Sequence, residues 1–427
     1  MIGIIIGLAL LMYLAYRGMS IIWVAPLAAL VVAFTGGLEL LPAYTQDYMG
    51  GFVGFAQSWF PVFMLGAIFG KLMDDSGAAR AVAVLITKAF GTKRAIMAVV
   101  AGCAVLTYGG VSLFVVVFAM YPLALALFRE ANISRKLIPG TIALGSFTFT
   151  MTAIPGTPQI QNLIPRDYFG TTAMAAPIMG IAGAIVMCGG GLLWLNYRQK
   201  QMAAAGEVFV ELTEKVEEVD VSTLPNPYLS LIPLVSIILL LNVAELDIII
   251  ALGIGILLTI ALNFTRLPKL VQTVNTGASG SVLAIINTSA AVGFGAVVRA
   301  VPGFETLTEM VLGIGGNPLI SQAVAVNVLA GATGSASGGM GIALAALGDR
   351  FVELAATSGI PLEAFHRVAS LSSGGLDTLP HNGAVLTLLA VTAMTHKDSY
   401  KDIFMVGTAI PVLAVITAII FASVGLV

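Results

Sequence analysis

Four groups of small hydroxyl, amide and glycine residues lie inside otherwise apolar stretches. The first is Thr107, Tyr108, Gly109, Gly110 and Ser112. The second is Thr150, Thr152, Gly156, Thr157, Gln159, Gln161 and Asn162. The third is Thr333, Gly334, Ser335, Ser337, Gly338 and Gly339. The fourth is Ser370, Ser372, Ser373, Gly374, Thr378 and Asn382, with His381 among them. Where a helix stops inside a membrane, its terminal N–H groups lack partners and carry partial positive charge, which suits a carboxylate. None of the four groups contains Lys or Arg. An anion there would be held by backbone and hydroxyl donors, which favours a hydroxylated monocarboxylate over a citrate-like trianion. The blander account is that Ser, Thr and Gly let helices approach closely. That account suffices for any single residue; four groups at matched positions point to a binding site. The expected ligand contacts are all of these residues except Thr150, Gln161, Asn162, Ser370, Ser372, Thr378 and His381.

Asp377 and His381 are the only ionisable side chains in the stretch 368–394. An acid near the membrane middle is costly and is a functional candidate by default. A spacing of four puts the two on one helical face, unless Pro380 interrupts it. They read as proton-coupling groups, a carboxylate or imidazole neutralised as an anion binds. The alternative is that Asp377 caps a half-helix and His381 lies in a polar lining. His366, His381 and His396 are too widely spaced for a helical ligand pair, and no Cys or Glu cluster joins them, so neither metal nor cofactor is expected. Catalysis is not expected either. An intramembrane aspartyl protease needs two deep aspartates, and a zinc protease needs His-Glu-x-x-His. A primary pump would carry Gly-x-x-x-x-Gly-Lys-Ser/Thr, and this chain does not.

The elements that must position these groups are membrane helices. Of 427 residues, 58% are hydrophobic and 10% charged, the mean hydropathy is +0.99, and soluble domains carry about 25% charged residues. Lys and Arg (20) nearly cancel Asp and Glu (22), so the basic surface of a nucleic-acid binder is missing. Cys103 and Cys188 fall in apolar stretches and read as buried thiols. The composition is that of an all-α polytopic membrane protein, with the lipid bilayer as its surroundings. Ile2–Tyr16 has neither a basic start nor a small-residue cleavage site, so it reads as a first membrane helix. Glu207, Glu211, Glu214 and Glu218 recur at helical spacing in the one long polar stretch and read as a solvated linker helix.

Two halves share a layout. Gly66–Gln159 and Gly293–Asn382 each hold a polar turn inside a long apolar run, then a charged connector, Arg129–Lys136 or Asp349–Arg367. Each then enters a run broken at a proline, Ile154–Pro158 or Leu379–Gly383. Interrupted hydrophobic segments at matching places point to a transporter site. A helix over Ala95–Phe128 would be about 51 Å long at ~1.5 Å per residue, against a hydrocarbon core of ~30 Å. A re-entrant hairpin turning at Thr107–Gly110 fits, and its flanks, Lys88, Lys93, Arg94 before and Arg129, Arg135, Lys136 after, are both basic and so cytoplasmic. Each half then has five spans, one of them broken, plus one re-entrant hairpin, and the second half is inverted. The expected divisions are a first repeat over 1–196 (hairpin 95–128, broken helix 137–165), a cytoplasmic linker over 197–228, and a second repeat over 229–427 (hairpin 318–347, broken helix 368–394). Both termini, with Arg166, Arg299, Arg350 and Arg367, fall outside.

Gly70-Lys71-Leu72-Met73-Asp74-Asp75-Ser76-Gly77-Ala78, with the breaks at Pro155 and Pro380–Gly383, resembles the gluconate permease (GntP) family of the ion transporter superfamily. The resemblance spans nearly the whole chain. It implies a bacterial inner-membrane, proton-coupled symporter of gluconate or a related hydroxy acid such as 3-hydroxybutyrate. It also implies inverted repeats with re-entrant hairpins, a homodimer and elevator-type movement. This chain lacks the histidine of such members in the first break and the Ser-Asn-Thr signatures of sodium-coupled relatives at both tips. Lys71, Asp74 and Asp75 match the motif and are expected to fix a local turn. The competing readings are a sodium-coupled carboxylate transporter and an anion channel.

Overall fold

The computed structural model describes residues 2–17, 19–91, 94–210, 220–306, 316–380 and 382–427. Helices follow one another in chain order: α1 (Ile2–Tyr16), α2 (Ile21–Thr35), α3 (Leu40–Asp75), α4 (Ala78–Phe90), α5 (Ala95–Tyr108), α6 (Leu113–Glu130), α7 (Ile138–Ser146), α8 (Phe149–Thr152), α9 (Ile160–Phe169), α10 (Pro177–Ala204), α11 (Pro227–Asn242), α12 (Ile248–Asn263), α13 (Leu270–Ala300), α14 (Pro318–Thr333), α15 (Ala336–Ser358), α16 (Leu362–Ser373), α17 (Gly383–Val391) and α18 (His396–Ser423). No strand occurs among the described residues. In lipid every backbone polar group needs an internal partner, and helices supply it within the segment. Among the described residues six helices are long and apolar enough to cross a membrane: α3, α6, α10, α12, α13 and α18. The chain is thus an all-α polytopic membrane protein. α1, α2, α5, α11 and α14 are apolar but shorter.

The longest pair, α3 and α13, makes the most extensive contact among the described residues. Small residues permit it: a Cβ on Gly277 would stand 2.8 Å from the Ile68 Cα, and one on Gly293 2.8 Å from the Tyr48 carbonyl oxygen. At the end of α3, Lys71 Nζ lies 2.6 Å from Asp75 Oδ1 and 3.7 Å from Asp74 Oδ2. Thr273 of α13 donates to Asp75 Oδ2 at 2.7 Å, so this charged turn also ties the two long helices together. α2 packs on the far half of α13, and α1 on α2 and α14, in a separate apolar cluster that includes Val24, Val32, Phe294 and Val298.

The apolar run Ala95–Phe128 is two helices, α5 and α6, packed on each other and joined at Gly109–Ser112. The run from Pro318 is also a helix pair, α14 and α15, joined at Gly334–Ser335. Gly334 ends α14 in the left-handed region at φ 60, which only glycine adopts at little cost. The connector expected over Asp349–Arg367 is mostly helix. α15 continues through Ser358, and only Gly359–Pro361 separates it from α16. Arg367, expected in an external loop, is a fully buried residue of α16. Glu207 lies beyond the end of α10 in non-helical chain; Glu211, Glu214 and Glu218 lie outside the described residues. Cys103 is buried as expected, whereas Cys188 is only half-buried.

Candidate functional site

One cavity of about 520 Å³ collects residues from both helix-pair turns and both breaks. From the expected contacts it takes Gly110, Ser112, Gln159, Thr333, Gly334, Ser335, Ser337, Gly338 and Asn382, and it takes Asp377 as well. Asp377 is 4% exposed and its Oδ1 has no hydrogen-bond partner. It lies in non-helical chain between α16 and α17. His381 itself lies outside the described residues. The described lining holds no Lys or Arg.

Each break is hydrogen-bonded to the turn of its own half. Gln159, the residue before α9, donates from Nε2 to the Thr107 carbonyl at 2.6 Å. Asn382, the residue before α17, donates from Nδ2 to the Gly334 carbonyl at 2.9 Å. The helix starts differ between the halves. Asn382 Oδ1 accepts from Ala384 N at 2.6 Å and Val385 N at 2.9 Å, and Ser335 Oγ accepts from Gly338 N at 3.1 Å. These side chains occupy N–H groups that the sequence left free for a ligand. Ser112 and Gln159 make no such cap, so the starts of α6 and α9 keep theirs open toward the cavity.

The second break is braced by α18. His396 Nε2 donates to the Pro380 carbonyl at 2.9 Å and the Tyr400 hydroxyl to the Thr378 carbonyl at 3.2 Å. The Thr378 and Thr408 hydroxyls are 2.9 Å apart.

Nine of the expected contacts stand behind the cavity wall. The Tyr108 hydroxyl donates to the Pro155 carbonyl at 2.9 Å. Gly109 faces Leu234 of α11, and a Cβ there would meet its Cδ2 at 2.5 Å. The Gly156 carbonyl accepts from Asn242 at 2.9 Å. The Thr152 carbonyl accepts from Ser370 at 2.7 Å, and Gly374 packs on the Thr152 side chain. Ser373 donates to its own helix at Ser370. A Cβ on Gly339 would stand 2.1 Å from the Ala330 nitrogen, so it fixes the α14–α15 crossing. Thr107 and Thr157 are fully buried, with hydroxyls that find no partner.

Sequence reasoning missed Ser281, Asn287 and Thr288 of α13, all in the lining. Thr288 lies 3.5 Å from Ser337 across the cavity wall. The available signal was an amide in a long apolar helix, which is costly unless it faces a polar space. Gln161 also lines the cavity; with Asn287 and Asp377 it contributes a side-chain oxygen that has no partner.

A family model described as GntP family permease matches residues 1–264. The chain is 44% identical to the uncharacterized transporter YxjC of Bacillus subtilis (strain 168) across the full length of both. It is 29% identical to the low-affinity gluconate transporter of Escherichia coli K12 over 40% of this chain and 38% of that one. Its fold resembles the crystal structure of the Alcanivorax borkumensis YdaH transporter, with a TM-score of 0.57 at 15% identity, covering 90% of this chain and 88% of that one.

Proposed function

The chain belongs to the GntP permease family, and from that membership we propose that it is a proton-coupled symporter of a small hydroxylated monocarboxylate, gluconate- or 3-hydroxybutyrate-like. One observation carries the reading. Asp377 lines a cavity whose described lining holds no Lys or Arg. A carboxylate substrate beside an ionised Asp377 would place two like charges in one poorly solvated space. Protonating Asp377 removes the conflict, so substrate and proton enter together. The substrate carboxylate sits at the uncapped starts of α6 and α9, where the helix dipoles favour an anion. Its hydroxyls face Gln161, Asn287 and Ser337. The similarity to a low-affinity gluconate transporter supports the substrate class.

In this reading the halves are inverted repeats and the two helix pairs are re-entrant hairpins. The hairpins and breaks travel as one body against α3 and α13, in a homodimer in the bacterial inner membrane, with the 197–228 linker cytoplasmic. A second reading, sodium coupling, draws on the three unpartnered oxygens of Gln161, Asn287 and Asp377, which are the hard donors such an ion prefers. Uptake of labelled hydroxy acids into proteoliposomes separates the two. Accumulation driven by external acid without sodium supports the proton; accumulation that follows a sodium gradient at equal pH replaces it. Flow only down the substrate gradient, driven by neither ion, would overturn the symport reading and leave the channel standing.

A further inference from the structure

Among the described residues Arg367 is the largest fully buried side chain, and it does not line the cavity. Its donors reach back across the molecule to one short stretch of the first half. Nε donates to the Ala175 carbonyl at 3.1 Å, and Nη2 donates to the same oxygen at 2.6 Å and to Ala173 at 3.4 Å. Nη1 donates to the Ala153 carbonyl at 3.4 Å and to Asn162 Oδ1 at 2.9 Å. Every acceptor is neutral; among the described residues no carboxylate forms an ion pair with it. A buried charge without a counter-ion is costly, and inside a membrane protein such a residue marks function by default.

What the guanidinium holds is the frame of the first break. Ala153 precedes the break, and Ala173 and Ala175 follow α9. Asn162 sits between them and donates to the Thr157 carbonyl at 3.0 Å and to Ala173 at 2.9 Å. His366 joins the network: its Nε2 donates to Asn162 Oδ1 at 3.3 Å, and its Nδ1 accepts from Thr171 at 2.6 Å. Asn162 is flanked in sequence by Gln161 and lies three residues from Gln159, the two amides that the first break contributes to the cavity.

We propose that Arg367 is a positioning residue for transport: through Asn162 it locks α16 to the first break and sets Gln159 and Gln161 against the substrate. The two broken helices then keep one geometry as the site moves. This rests on the transport reading above. Arg supplies five donors in a fixed fork, whereas Lys keeps the charge and loses the fork.

The test is the kinetics of uptake into proteoliposomes by the full chain, using whichever labelled hydroxy acid of a panel that includes gluconate and 3-hydroxybutyrate the parent takes up best. Arg367→Lys and Asn162→Ala should each raise KM about tenfold with Vmax within about twofold, since losing a positioning hydrogen bond weakens binding and not the amount of active protein. The double variant should match the worse single one, because both act through one network. KM unchanged in Asn162→Ala, or effects that multiply in the double variant, overturn the inference while leaving the transport reading intact. If Arg367→Lys fails to fold, Asn162→Ala alone decides by the same criterion. A parent that moves none of the panel overturns the transport reading and this inference with it.

Discussion

Asn382 and Gly334 are joined by a hydrogen bond of 2.9 Å from the amide Nδ2 to the carbonyl oxygen, while the same amide's Oδ1 caps α17. One side chain thus starts a helix and anchors the α14–α15 turn to it. Both halves of the amide are committed, so its orientation is fixed by its partners.

Asn382→Ala should therefore lower stability by about 1 kcal/mol, the usual cost of losing an N-cap, and should also lower uptake. Asn382→Ser separates the two roles, since Ser caps a helix but cannot span to Gly334. Thermal melting in detergent should recover with Ser while uptake in proteoliposomes should not. If uptake in both variants equals the parent's, the anchoring of the turn plays no part in transport.

Glycines at the turns make a second set of contrasts. A Cβ on Gly339 meets the Ala330 backbone nitrogen at 2.1 Å, so Gly339→Ala should force the two arms apart and cost about 3 kcal/mol or more. Gly338 lines the cavity, and a Cβ there would meet its own cap, Ser335 Oγ, at 3.1 Å and Ala291 Cβ at an ordinary 3.6 Å. Gly338→Leu should fold and lose uptake. Gly109→Leu should lose uptake for a different reason, collision with Leu234, and Leu234→Ala should restore part of it. A folded, active Gly339→Ala protein would contradict the packing argument.

Sidedness follows from the basic loops. Glu207 and Glu245 are both exposed. With a cysteine at Glu207, an impermeant maleimide added to intact cells should give no label; with one at Glu245 it should label. The reverse pattern would turn the molecule over.

The breaks were legible because proline and glycine inside apolar runs have few other uses. The turns were legible because 34 residues from Ala95 to Phe128 suit neither one span nor two. Side-chain direction was not legible. Gly109 and Gly110 are neighbours, yet one faces Leu234 and the other the cavity. The caps at Ser335 and Asn382 could have been read, since Ser and Asn before an apolar run are ordinary N-caps. Arg367 was hidden by its neighbours: Asp349, Arg350, Glu353 and Glu363 precede it, and the whole stretch resembles a solvated connector. Its exposure falls to zero because α16 packs against α9, α10, α14, α15 and α18, a tertiary fact.

Coupling gives the last prediction. Asp377→Asn keeps the shape of the side chain and removes its ability to take and release a proton. If Asp377 carries the proton, the variant should still exchange labelled for unlabelled substrate across the membrane, because exchange needs only the loaded carrier to move. It should no longer accumulate substrate when the outside is made acidic, because accumulation needs the proton to travel with the substrate. The amide is permanently neutral, like the protonated acid, so substrate binding itself should become insensitive to pH. His381→Gln is the parallel test of the other ionisable residue in this stretch. The unpartnered Oδ1 of Asp377 in the cavity lining ranks the acid first. Should both variants accumulate substrate in response to acid as the parent does, the proton takes another route or the driving ion is sodium, and the three unpartnered oxygens become the place to look for it.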